Sequence, residues 1–121
     1  MRTLPDKTRI VQLAHSTVEV DEAGYLFDPS AWSLEFAVLA AEGENVSLGD
    51  EHWAVFDFMR EFHEEHGVAA DVRFVIRYLA DRHGLDKKVA KSRLFDMFPQ
   101  GYVKQACKIA GMRQPRAWST G

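Results

Sequence analysis

The chain opens on a polar stretch and then alternates. Arg9 to Leu13 (R-I-V-Q-L) and Thr17 to Val20 (T-V-E-V) carry apolar side chains at about every second position. A period of two marks half-buried strands. Ala14-His15-Ser16 between them is short enough for a hairpin turn. Asp21-Glu22-Ala23-Gly24 is a second turn, and Tyr25-Leu26-Phe27 continues extended. From Asp28 the period lengthens. Asp28 can cap a helix and Pro29 suits its first position, and Trp32, Phe36, Leu39 and Ala40 then recur at helical spacing until Gly43. Ser47 to Asp50 resembles a capping box with Asp50 in the Glu place. The helix after it runs to about His66, with Gly67 closing it. A third helix is predicted over about Ala70 to His83, stopped by Gly84. A fourth covers about Asp86 to Phe98, broken by Pro99, and a fifth about Gly101 to Ala110, ended by Gly111. Residues 112–121 have no period and contain Pro115, so they read as a mobile tail. Residues 1–8 read as a loose polar arm.

These elements predict an α+β fold that is mainly α: an N-terminal β-hairpin packed on a bundle of about five helices, with a mobile C-terminal arm. Residues 1–14 would form the N-terminal arm and first strand. Residues 15–121 would form a single domain that includes the arm at 112–121. Trp32, Trp53, Phe56, Phe62, Phe74, Phe95 and Phe98 are the expected core aromatics. Each contributes on the order of 1.5–3 kcal/mol when fully buried.

Composition narrows the class. At 121 residues, 46% apolar and 27% charged, the chain has an ordinary single-domain make-up. No apolar run approaches the roughly 18 residues of a membrane span, and the start lacks the apolar segment of a secretory signal. A single cysteine, Cys107, excludes a disulfide-built scaffold and a cysteine zinc site made by this chain alone. A cytoplasmic protein with no cofactor and no metal is expected. The net charge of −3 hides an asymmetry: residues 1–69 hold 4 Lys+Arg against 14 Asp+Glu, and residues 70–121 hold 11 against 4. Either the two halves pack and complement each other, or the basic half presents a face to an acidic protein or to nucleic acid.

Candidate chemistry is sparse. His63 and His66 lie three apart on one predicted helix, but H-E-E-H is not a zinc-protease motif. They read better as a boundary histidine and a core-facing one. His52 and His83 show no partner. Glu61, Glu64 and Glu65 read as a solvated helix face. No phosphate loop, nucleophile elbow or acid–base pair is present. Arg73, Arg77, Arg82, Lys87, Lys88, Lys91, Arg93, Lys104 and Lys108, with short turns between their helices, have the form of a helix-turn-helix with a basic face. A DNA-binding regulatory module is therefore an alternative to weigh. Cys107 lies between Lys104 and Lys108 on the last helix. Facing the lysines it would tend to thiolate; facing inward it would be a small inert hydrophobe.

Lys104-Gln105-Ala106-Cys107-Lys108-Ile109-Ala110-Gly111-Met112, followed by Pro115, resembles the C-terminal signature of the DsrC/TusE family. The likeness extends through Val20 to Leu26, Asp28 to Trp32, Glu51-His52-Trp53, Phe58 to Phe62 and Leu94 to Pro99. It covers residue 15 to the end. The resemblance implies a sulfur-relay protein, a carrier or adaptor whose partners are sulfurtransferases or a sulfite-reductase-like enzyme. Family members carry sulfur as a persulfide on an arm cysteine, and some add a second cysteine eleven residues earlier. Here only the upstream position is a cysteine, Cys107, and the arm position is Trp118. Cys107 is then the candidate sulfur acceptor. Lys104, Lys108, Arg113 and Trp118 are the candidate docking residues.

Overall fold

The computed structural model describes residues 8–114. Most of the sequence placed in the loose N-terminal arm, and Pro115 to Gly121 of the tail, lie outside the described residues. Strands β1 (Thr8–Gln12) and β2 (Thr17–Asp21) pair antiparallel, with Ile10 opposite Glu19. The alternation decides which face turns inward: Val18 and Val20 are buried while Thr17 and Glu19 are exposed. The chain then turns on Asp21, whose Oδ1 accepts from the amides of Ala23 and Tyr25. Leu26 bridges back to Val20. Leu13, Val18, Val20, Leu26 and Phe36 form a small cluster under the hairpin.

Helices α1 (Leu34–Gly43), α2 (Asp50–His66), α3 (Val72–His83) and α4 (Lys87–Met97) follow, then a π-helical segment (Tyr102–Cys107). Phe56 and Phe98 are fully enclosed in the main core that these elements share. Trp32 and Ala40 touch both clusters and join the hairpin to the helices.

Several expectations are corrected. The helix expected from Asp28 to Gly43 is two elements. Asp28 caps only a 3-10 turn, Pro29–Ala31, and Trp32 is extended. The Ser33 hydroxyl then accepts from the Phe36 amide and starts α1 afresh. That helix ends at Gly43 as expected, and Asn45, at φ 59°, takes the left-handed position just beyond it. The Val46 amide closes back on the Ala41 carbonyl, as a left-handed C-terminal cap requires. Helix α2 is capped by Gly49 and not by Ser47: the Gly49 amide donates to Nδ1 of His52 at 3.2 Å. Phe74 faces out, 39% exposed, because α3 turns Val75 and Leu79 inward instead. The last helix is π-wound rather than α-wound over Tyr102–Cys107.

Candidate functional site

The segment around Cys107 starts at Gly101, whose φ of 106° only glycine adopts readily. Tyr102 is fully buried, and its hydroxyl donates to the Ala70 carbonyl. Gln105 is the buried polar residue of the segment. Its Oε1 accepts from the Gln100 amide at 2.9 Å, and its Nε2 donates to the Glu44 carbonyl at 3.3 Å. Satisfying both ends of this amide offsets the cost of enclosing it. The Tyr25 hydroxyl reaches across from the hairpin and donates to the Val103 carbonyl at 2.9 Å.

Cys107 ends the π-helical turn with no exposure at all. Burial pushes its thiol up to about 12, against a smaller opposite pull from the Tyr102 hydroxyl. The lysines do not activate it. Nζ of Lys108 pairs with Oε2 of Glu44 at 2.7 Å and lies 5.3 Å from the Tyr25 ring, and Lys104 is exposed. Arg113 is exposed, its guanidinium 5.9 Å from the Phe27 ring. Trp118 lies outside the described residues. Of the five residues singled out by sequence, Cys107 and Lys108 thus lie in the interior network. Lys104 and Arg113 are on the surface.

Beyond Cys107 the chain is closed by a clamp that sequence reasoning missed. Gly111 sits at φ 82°, and the Met112 amide returns to the Cys107 carbonyl at 3.0 Å. Nε1 of Trp32 donates to the Ile109 carbonyl at 2.9 Å. The Arg60 guanidinium lies 4.4 Å from the Trp32 ring centroid and donates at 2.7 Å to the carbonyls of Ala110 and Pro29. Both residues belong to stretches that carry the family resemblance, and Trp32 is also an expected core aromatic; neither signal pairs them with the C-terminal segment.

The histidines behave as structure. His63 is at a boundary as expected. His66 is exposed at the end of α2 against Phe62, and not core-facing as expected. His52 and His83 both have partners: His52 Nε2 meets the Met97 carbonyl at 3.2 Å, and His83 pairs with Glu51. Among the described residues, no group of three His, Cys, Asp or Glu is placed to hold a metal ion. No helix there is long and apolar enough to cross a membrane.

The described residues form a small α+β protein, a hairpin laid on a helical body with a cysteine at the root of the C-terminal segment. The DsrC like protein family matches residues 12–117, and the chain belongs to it. The sulfurtransferase TusE of Escherichia coli K12 is 40% identical over 98 residues, covering 81% of this chain and 89% of that one. The solution structure of Allochromatium vinosum DsrC superposes with a TM-score of 0.80 at 32% identity, covering 92% of this chain and 98% of the other. The crystal structure of the oxidized gamma-subunit of the dissimilatory sulfite reductase from Archaeoglobus fulgidus gives 0.74 at 28% identity, covering 90% and 98%. The function is sulfur relay of the DsrC/TusE type. The alternative of a DNA-binding regulator finds no support in these relatives.

Proposed function

We propose that this chain serves sulfur relay as a docking adaptor. It binds sulfurtransferases or a sulfite-reductase-like enzyme and takes no sulfur onto Cys107 while folded. One similar protein is a sulfurtransferase and another is the gamma-subunit of a sulfite reductase, which supports partners of those two kinds. Lys104 and Arg113, exposed on either side of the clamp, and Trp118 on the arm are the docking residues. The reducing cytoplasm, where a lone thiol persists, is the compartment proposed. Lys108 acts from inside by holding Glu44.

The observation that carries this reading is the enclosure of Cys107. Sulfur transfer needs a thiolate that can reach the donor's sulfur. A thiol with no exposure, titrating near 12, offers neither the charge nor the access. The alternative, with Cys107 as acceptor, requires the π-helical segment to open.

Intact-protein mass spectrometry after incubation with a sulfur donor and its sulfurtransferase tests the proposal. The expected result is no added sulfur atom on the native chain, under conditions that load a relative bearing the arm cysteine. The chain should nevertheless compete with that relative for the sulfurtransferase. A one-sulfur mass increase on the native chain, lost in Cys107→Ser, would establish the carrier instead. Absence of competition would remove the adaptor.

A further inference from the structure

Strand β1 sets an arginine on the side of the hairpin where β2 sets its valines. Residues directly opposite each other in an antiparallel pair share a face. Arg9 stands opposite Val20 and Val11 opposite Val18, so Arg9 belongs to the inward face. Ile10 takes the outward face and is 63% exposed. The pattern is inverted at this step, with the cation inward and the large aliphatic side chain outward. Local rules broken in this way concentrate at functional positions.

Arg9 lines a cleft of about 370 Å³ between the hairpin and α1. Val11, Val20, Phe36, Leu39 and Ala40 form its apolar wall. That wall is continuous with the small core under the hairpin, since Val20 and Phe36 belong to the cluster and Val11 and Ala40 pack against it. The volume lies at the lower end of the roughly 300–1,000 Å³ of ligand pockets, so the ligand is small.

Glu44 and Lys108 also line the cleft. They neutralise each other at 2.7 Å. Arg9 forms no ion pair among the described residues. The lining therefore carries one unmatched positive charge. Gly24 keeps the space beside that charge open: Nη2 of Arg9 and Cδ of Lys108 each lie 3.7 Å from the point a Cβ would occupy.

We propose that this cleft binds a small amphiphilic carboxylate. Its head pairs with the Arg9 guanidinium beside Gly24, and its aliphatic body lies against Phe36 and Leu39. The planar guanidinium fork matches a carboxylate, and the single unmatched charge selects a monoanion. An inorganic anion would leave the wall uncovered, and a neutral amphiphile would leave the guanidinium without a counter-ion. A molecule with both parts meets both features. This inference stands apart from the adaptor reading, since it uses neither Cys107 nor the arm.

Titration of the full chain with octanoate, followed by the NMR shifts of its backbone amides, tests it. The expected result is saturable shifts confined to the cleft, at Val11, Gly24, Leu39 and Lys108. Octanamide has the same body without the charge, and acetate has the same head without the body. Each should bind about fivefold or more weakly than octanoate. Arg9→Gln and Leu39→Asn should each weaken octanoate by a similar factor. Both side chains are exposed, and circular dichroism checks that the variants keep the fold. Shifts that do not saturate, shifts centred on residues away from the cleft, octanamide or acetate binding as tightly as octanoate, or unchanged affinity in either variant would each overturn the inference.

Discussion

Gly111 shows how one residue fixes the course of the chain. It stands at φ 82°, where a Cβ costs about 1–2 kcal/mol. A Cβ built there would also overlap the Trp32 indole and lie 2.9 Å from Nη1 of Arg60. Neither neighbour can give way cheaply. The indole is held by its bond to the Ile109 carbonyl, and the guanidinium by bonds to Pro29 and Ala110. Overpacking of this kind adds about 1–3 kcal/mol. Gly111→Ala should therefore destabilise the chain by about 2–5 kcal/mol, read as a lowered urea midpoint with an unchanged slope. A loss below about 1 kcal/mol would mean that the clamp does not hold the turn. Glycine as the terminator of the last helix was legible in the sequence. The ring and guanidinium that close over it were not, because Trp32 and Arg60 come from elements far away along the chain.

At the scale of elements, the sequence pattern located strands and helices well and their joints poorly. The hairpin was legible because Val18 and Val20 alternate with polar residues. Helices α2, α3 and α4 were legible because Gly67, Gly84 and Pro99 punctuate them. The break at Ser33 was not, because apolar spacing runs unbroken from Trp32 to Ala40 across two different elements. What separates them is a local competition: the Ser33 hydroxyl satisfies the Phe36 amide more directly than another helical turn would. The π-winding of Tyr102–Cys107 was equally hidden, since it follows from Tyr102 and Gln105 finding partners in Ala70 and Glu44. The site was legible in name only. Cys107 stood out as the lone thiol, yet its direction depends on that winding. Ser33→Ala should cost about 0.5–2 kcal/mol by removing the cap of α1. Hydrogen exchange should quicken at the Phe36 amide while α3 amides stay unchanged. Equal quickening in both helices would show that Ser33 acts on global stability rather than on this helix start.

The whole molecule is closed by its C-terminal segment, tied back to the first half through Tyr25, Trp32, Arg60 and Glu44. The acidic and basic halves meet in ion pairs at Glu44 with Lys108 and at Glu51 with Arg93, with the His83 ring beside Glu51, so part of the charge asymmetry is internal complementarity. Closure leaves a thiol that only unfolding exposes, and this makes stability depend on alkaline pH. In the unfolded chain Cys107 releases its proton near its ordinary value of 9.0, while in the folded chain it holds the proton up to about 12. Below 9.0 both states keep the proton and the group has no effect. Above that point the unfolded state binds fewer protons, so stability falls as pH rises, by up to about 1.4 kcal/mol per pH unit. Tyr25, pushed from 10.0 to about 12 mainly by burial, acts in the same direction but starts later. Tyr102 is raised as well, by its deeper burial. Urea unfolding at a series of pH values should therefore show wild-type stability declining from about pH 9. Cys107→Ala should be less stable at neutral pH through its lost packing, yet hold its own level until the tyrosines begin to titrate. If wild type and variant decline along parallel curves from the same pH, the thiol is not enclosed in solution. The segment after Gly101 then opens readily enough for Cys107 to meet a sulfur donor.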